Sequence, residues 1–281
     1  MNYKTAIFLA TLETPDDDLK SAARAAETSG THLACLILAH TPPLPIGAYG
    51  AMPYGAMAIQ DDWPRASREL NQRLAARADE VEIILANENA RGTVEPLSAA
   101  VSDMSDAVAQ RAALCDVVFA APDLRSDSVL FRNALYGVLF ESPVGVVLNG
   151  AVLMRPERVF VAWDTGLAAT RAVHAALPIL KDAKEVMIGC FDPIMSPFAA
   201  GENPGSDLAK YLTHHSGSVS VSQFPSGGAE LASVIQARAG EFGANLVVMG
   251  AFGHSRLRQA VFGGTTRAML EQTNLPVLMA H

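Results

Sequence analysis

The strongest constraint on this chain is that it spells one pattern twice. Ile7-Phe8-Leu9-Ala10-Thr11-Leu12 lies against Val159-Phe160-Val161-Ala162-Trp163-Asp164, Asp116-Val117-Val118 against Asn245-Leu246-Val247, and Ser142-Pro143-Val144 against Leu275-Pro276-Val277. Identities are few, but their order is kept. In both halves, apolar runs of strand length alternate with segments of helical periodicity, which implies a parallel sheet covered by helices on both faces. The expected class is α/β, with one domain over residues 1–150 and a second over residues 151–281. At 281 residues, half of them apolar, each half can bury a core of its own.

Strands are expected over residues 3–11, 32–39, 93–97, 116–121 and 144–148, and helices over 16–29, 66–88, 102–113 and 133–141. The second half repeats the order, with strands at 158–163, 185–191 and 218–224 and helices at 167–180, 206–215 and 229–242. Val173, Ala176, Leu177 and Leu180 fall at i, i+3, i+4 and i+7, so one face of that helix packs on the sheet. Residues 41–64, rich in Pro, Gly, Ala and Met and without periodicity, read as a surface loop.

Charge and targeting signals narrow the function. A net charge of -8 argues against a general nucleic-acid or membrane-surface binder, because both need a basic face. The apolar run at the N-terminus is too short for a secretory signal and is followed at once by Glu13 and Asp16 to Asp18, so a cytoplasmic location is expected. No apolar run is long enough to span a bilayer. Cys35, Cys115 and Cys190, an odd number, read as small core residues of a reducing compartment.

Chemistry concentrates near the C-terminus. An apolar strand ends in Gly250-Ala-Phe-Gly253, nine residues follow, and then come Gly263-Gly264-Thr265-Thr266 and a helical pattern. Glycines there permit positive φ and close approach of backbone to ligand oxygens, and a helix N-terminus facing such a loop suits a phosphate. Thr265 or Thr266 can cap the helix, and Arg256, Arg258 and His254 can add polar contacts. The pattern is neither a P-loop nor G-x-G-x-x-G. Asp164, at the end of the first strand of its half, can accept from an adenine amino group or a ribose hydroxyl, or cap the helix that follows. The first half has Leu12 in place of Asp164, and Ala121 and Leu124 in place of Gly250 and Gly253. Ser226-Gly227-Gly228 reads as the N-terminal turn of a helix, and the spacing of His174, Cys190, Asp192, His214 and His215 matches no metal-ligand pattern.

The G-2x-G-9x-G spacing of Gly250, Gly253 and Gly263, the Val161-Ala162-Trp163-Asp164-Thr165 segment and the closing Leu275-Pro276-Val277-Leu278 resemble the universal stress protein family in a tandem, two-domain form. That resemblance is close from Pro156 onward and covers the first half only as a divergent scaffold. It implies two Rossmann-like domains of the adenine nucleotide alpha hydrolase type. Each would be an open five-stranded parallel sheet covered by helices on both faces, paired through its last strand. It also implies ATP or a related adenine nucleotide in the second domain. By position, Asp164, Cys190 (through its backbone) and Met249 would line the adenosine. Gly250, Gly253, His254, Gly263, Gly264 and Thr265 would hold the phosphates, with Arg256 adding a contact by its charge. Where the family has Ser or Thr after its last motif glycine, this chain has Gly264, so binding is expected ahead of hydrolysis. The expected role is a cytoplasmic stress-response protein whose first half is a fixed partner. The alternatives are a slow Mg²⁺-dependent ATPase and a nucleotide-free interaction module, and the family resemblance also admits a homodimer.

Overall fold

The computed structural model describes residues 3–43, 62–153, 155–193, 203–252 and 264–281. The first half runs β1 (Thr5–Thr11), α1 (Asp16–Ser29), β2 (His32–His40), α2 (Asp62–Asn87), β3 (Gly92–Ala99), α3 (Met104–Ala112), β4 (Val117–Ala120), α4 (Ser128–Glu141) and β5 (Gly145–Leu148). The second runs β6 (Arg158–Trp163), α5 (Leu167–Leu180), β7 (Glu185–Phe191), α6 (Ser206–Thr213), β8 (Val219–Phe224), α7 (Leu231–Phe242), β9 (Leu246–Gly250), α8 (Gly264–Glu271) and β10 (Val277–Ala280).

All ten strands form one sheet, in the order β3-β2-β1-β4-β5-β10-β9-β6-β7-β8. Within each half the pairings are parallel. At the centre β5 and β10 run antiparallel, with Val277 opposite Leu148 and Met279 opposite Val146. The seam has a geometric consequence: the edge where the strands of the second half end is the edge where those of the first half begin.

Strand alternation sends side chains to two cores. Phe8, Val159, Val161 and Cys190 join the layer beneath α1, α2, α5 and α6, whereas Ile7, Leu9, Phe160 and Met249 join the layer on the opposite face. Two close approaches fix the helices. A Cβ on Gly145 would lie 3.2 Å from the Ala175 Cβ, so α5 rests over the seam, where the Tyr3 hydroxyl donates to the Ala175 carbonyl at 2.6 Å. A Cβ on Gly137 would lie 2.2 Å from the Ser105 carbonyl oxygen, so α3 and α4 cross almost backbone to backbone. Pro96 sits inside β3, where an edge strand tolerates a missing donor.

Several expected boundaries shift for local reasons. The helix expected from residue 133 begins at Ser128, because the Asp127 carboxylate accepts from the Val129 and Leu130 backbone N–H groups. Residues Pro122–Ser126, expected as loop, make a turn of 3-10 helix that buries Leu124. Gly227 and Gly228 both have positive φ, so they turn the chain ahead of α7 rather than forming its first turn. The aspartates opening α1 make no side-chain cap; Pro15 stands at that position and Asp16, Asp17 and Asp18 act on the helix dipole.

All three cysteines are free, with Cys35 and Cys190 buried and Cys115 half-buried. Burial pushes the thiols of Cys35 and Cys115 up to about 12 and that of Cys190 to about 11. Since the thiolate is the nucleophile, native protein at pH 7.5 is expected to take up almost no iodoacetamide while unfolded protein takes up three equivalents, a difference that intact-mass spectrometry reads directly.

Candidate functional site

In the second half the chain leaves β6 for β7 on one side and β9 lies on the other, so the sheet has a switch point between β6 and β9. A crevice opens at such a point beyond the carboxyl ends of the strands, and ligands of open α/β sheets bind there. Asp164 follows β6 on one flank and Gly250 ends β9 on the other. Asp164 is exposed, and its Oδ1 accepts from the Gly166 backbone N–H at 2.8 Å. Its Oδ2 accepts no hydrogen bond among the described residues, which leaves an acceptor facing solvent beside the crevice. The N-cap of α5 is Gly166, so Asp164 shapes the turn before the helix instead of capping it.

Gly250 is required by the protein itself. A Cβ there would lie 2.4 Å from the Ala169 backbone nitrogen and 2.6 Å from the Ala168 carbonyl carbon, so the first turn of α5 lies directly on the end of β9. The positive φ expected at this glycine is absent. Left-handed backbone falls instead on residues where sequence reading expected none: Thr165 (φ 65), Asp192 (φ 41) and Phe252 (φ 61), one just beyond each of β6, β7 and β9. Such conformations cost roughly 1 kcal/mol or more for a side-chain-bearing residue and gather where a site is held in shape. No counterpart follows β1, β2 or β4 among the described residues. Asp192 has a further tie, because hydrogen bonds from Ser226 hold its carboxyl below the usual range.

Around α8 the hydroxyls divide their roles. Thr266 is buried, and its Oγ1 accepts from the Phe252 backbone N–H at 3.2 Å, pinning the strand end to the first turn of the helix. Thr265 is half-buried and Gly264 exposed, both inside that first turn, so neither threonine occupies the cap position that sequence reading allowed. Met249 is buried between Ala162 and Met279 in the sheet. Cys190 is buried on the opposite face, its Sγ 3.0 Å from where a Gly205 Cβ would stand, so only its backbone is available to the crevice. The structure thus brings Asp164, Met249, Gly250, Gly264 and Thr265 to one edge. Gly253, His254, Arg256, Arg258 and Gly263 lie outside the described residues, as does most of the 41–64 segment. Among the described residues no cluster of His, Cys, Asp and Glu is arranged to hold a metal ion.

The corresponding crevice of the first half, between β1 and β4, is filled. Asp123, from the 3-10 turn, accepts from the Thr11 hydroxyl at 2.6 Å and the Thr14 hydroxyl at 2.9 Å. The Thr14 Oγ1 in turn accepts from the Thr11 backbone N–H at 2.8 Å. Asp18 stands close by, its carboxyl raised first by its own burial and then by Asp123 and Asp17. A dianionic phosphate placed there would displace this network and meet carboxylates.

The second half of the chain is similar to a known family in sequence, and the whole chain to solved structures in fold. Residues 156–281 match the model of the Universal stress protein family. A functionally unknown protein from Pseudomonas aeruginosa PAO1 superposes with a TM-score of 0.54 at 14% identity, covering 99% of this chain and 92% of its own. A putative universal stress protein from Pseudomonas aeruginosa UCBPP-PA14 superposes at 0.51 and 16% identity, covering 99% and 93%. A universal stress protein in complex with cAMP has a TM-score of 0.30 and 14% identity, over 48% of this chain and 90% of its own. None of the curated proteins matches. The two whole-chain likenesses carry the fold from end to end, including the first half. No helix among the described residues is long and apolar enough to cross a membrane.

Proposed function

We propose that this chain, whose residues 156–281 match the Universal stress protein family model, is a cytoplasmic stress-response protein that binds one molecule of ATP, or a related adenine nucleotide with Mg²⁺, at its C-terminal crevice. The observation that carries this reading is the contrast between two equivalent places in one sheet. At one, an exposed carboxylate, strained backbone and the N-terminus of α8 surround the switch point. At the other, Asp123 closes on Thr11 and Thr14. Asp164 would accept from the ribose or adenine, and the exposed first turn of α8 would present backbone N–H groups to phosphate oxygens. The backbone at Met249 and Cys190 would edge the adenosine, and Gly253, His254, Arg256 and Gly263 would complete the phosphate loop. The N-terminal half would serve as a fixed partner through β5 and β10.

The test is calorimetry with ATP and Mg²⁺, together with chromatography of the supernatant from freshly denatured protein. One site per chain is expected, with Asp164→Ala weakening it roughly tenfold or more, the scale of a lost hydrogen bond to a charged group. Two sites per chain would contradict the closed first crevice. No released nucleotide and no heat with ATP would sink the whole reading.

A further inference from the structure

The ten-stranded sheet has two edges, β3 and β8, and they differ in kind. At the β3 edge the Leu33 and Thr41 N–H groups donate to the Arg91 and Ala99 carbonyls, both at 2.9 Å. By alternation Gly92, Val94, Pro96 and Ser98 turn their backbone groups outward. Pro96 therefore lacks an N–H where an added strand needs one, and beside it Glu95 carries a charge paired with Arg111 at 2.6 Å. Proline and charge are common means of closing an edge.

β8 has neither. The Val186 and Asp192 N–H groups donate to the Ser218 and Phe224 carbonyls at 2.8 and 3.1 Å, and pairing with β7 runs one to one from Val219 to Phe224 without a bulge. Val219, Val221 and Gln223 accordingly turn both N–H and C=O away from the sheet, and Val221 is 37% exposed. Among the described residues no strand lies beyond them. No Asp, Glu, Lys or Arg occurs between Ser216 and Ala229, in a chain of net charge -8. A strongly charged partner finds no complement on this strand, whereas a second copy meets no like charge.

The order of residues points to that copy. Ser218-Val219-Ser220-Val221-Ser222 reads the same in both directions. We propose that β8 is a homodimer surface, where two chains join β8 to β8 antiparallel about a twofold axis through Ser220. Val219 then stands opposite Val221, and Ser218 opposite Ser222. Valine meets valine on the face beneath α6, hydroxyl meets hydroxyl on the other, and Val219 and Val221 exchange both of their outward backbone hydrogen bonds. The contact repeats between chains the antiparallel pairing that joins β5 to β10 within one. It uses no residue of the switch-point crevice and stands apart from the nucleotide reading.

The measurement is sedimentation velocity of the full chain from about 1 to 500 μM, a span set by the weak binding of a small interface. A reversible dimer is expected. Val221→Pro, which copies onto β8 the device present at Pro96, should weaken it about tenfold or more, and the fold should survive because the Val221 N–H makes no bond to β7. Ser220→Lys and Ser220→Glu, at an exposed position, set like charges opposite each other at the axis. Each should weaken the dimer similarly, and an equal mixture of the two should restore it. Should Val221→Pro prove unfolded by circular dichroism, the Ser220 pair decides alone. A monomer across the whole range, a dimer indifferent to a folded Val221→Pro, or a mixture no stronger than its components would each overturn the proposal. None of these outcomes bears on ATP binding, so the two readings fail separately.

Discussion

Replacing Gly250 by alanine is expected to destabilise the chain by about 3 kcal/mol or more, a large value for one added methyl group. Its Cβ would stand 2.4 Å from the Ala169 nitrogen and 2.6 Å from the Ala168 carbonyl carbon, and backbone atoms cannot rotate away as a side chain can. The first turn of α5 must therefore lift from β9, taking with it the Gly166 N–H that holds Asp164. Gly264→Ala is the matched control. Among the described residues a Cβ there meets nothing within 4 Å and φ is not positive, so it should change stability by less than about 1 kcal/mol, in the stabilising direction for a helical position. Urea titration of the two variants reads the difference. If both behaved alike, the glycine at 250 would be serving a ligand and not the packing of α5. Glycines that look equivalent in a phosphate-loop motif thus divide into one that seats a helix and one that leaves the backbone accessible.

That division was not legible in the residues, and the reason is physical. Local periodicity determines whether a segment is helix or strand, so residues 16–29, 158–163, 167–180 and 185–191 are read from sequence with the boundaries they have in the structure. The switch point also follows, because strand–helix alternation and the place of Asp164 at a strand end are local facts. What joins distant segments leaves no periodic trace. Thr11, Thr14 and Asp123 meet across more than a hundred residues of chain, and nothing in Ala121-Pro122-Asp123 announces that the aspartate closes over two threonines. The one available signal is the replacement itself, a Pro-Asp-Leu-Arg run at the position where the second half has its glycine loop. Likewise the tie from Thr266 to Phe252, and the left-handed backbone of Thr165, Asp192 and Phe252, arise from how strand ends are held by neighbours.

The last residue of that run gives the second large expected effect. Arg125 to methionine should cost about 2–3 kcal/mol, because a half-buried guanidinium leaves several partners at once. Arg125 donates to the Leu270 carbonyl, near the C-terminal end of α8, and to the Asn149 Oδ1 at 2.8 Å, and it lies 4.6 Å over the Phe131 ring. Asn149 in turn donates to the carbonyls of Gln272 and Leu275 at 2.8 and 3.3 Å. Burial lowers the Arg125 pKa but leaves the group charged at neutral pH, so its partners answer a cation. Lysine would restore the charge without the fork and should recover only part of the loss. The effect should extend beyond stability. α8 is eight residues long and is fastened at one end by Thr266 to Phe252 and at the other by Arg125, so releasing the far end loosens Gly264 and Thr265 as well. Amide exchange in α8 should accelerate more than in α1, and ATP affinity should fall a few-fold though Arg125 lies outside the crevice, as coupling through a shared rigid element predicts. Unchanged exchange in α8, with stability lost evenly across the sheet, would show that Arg125 is part of the core and not a link from the first half to the switch-point crevice.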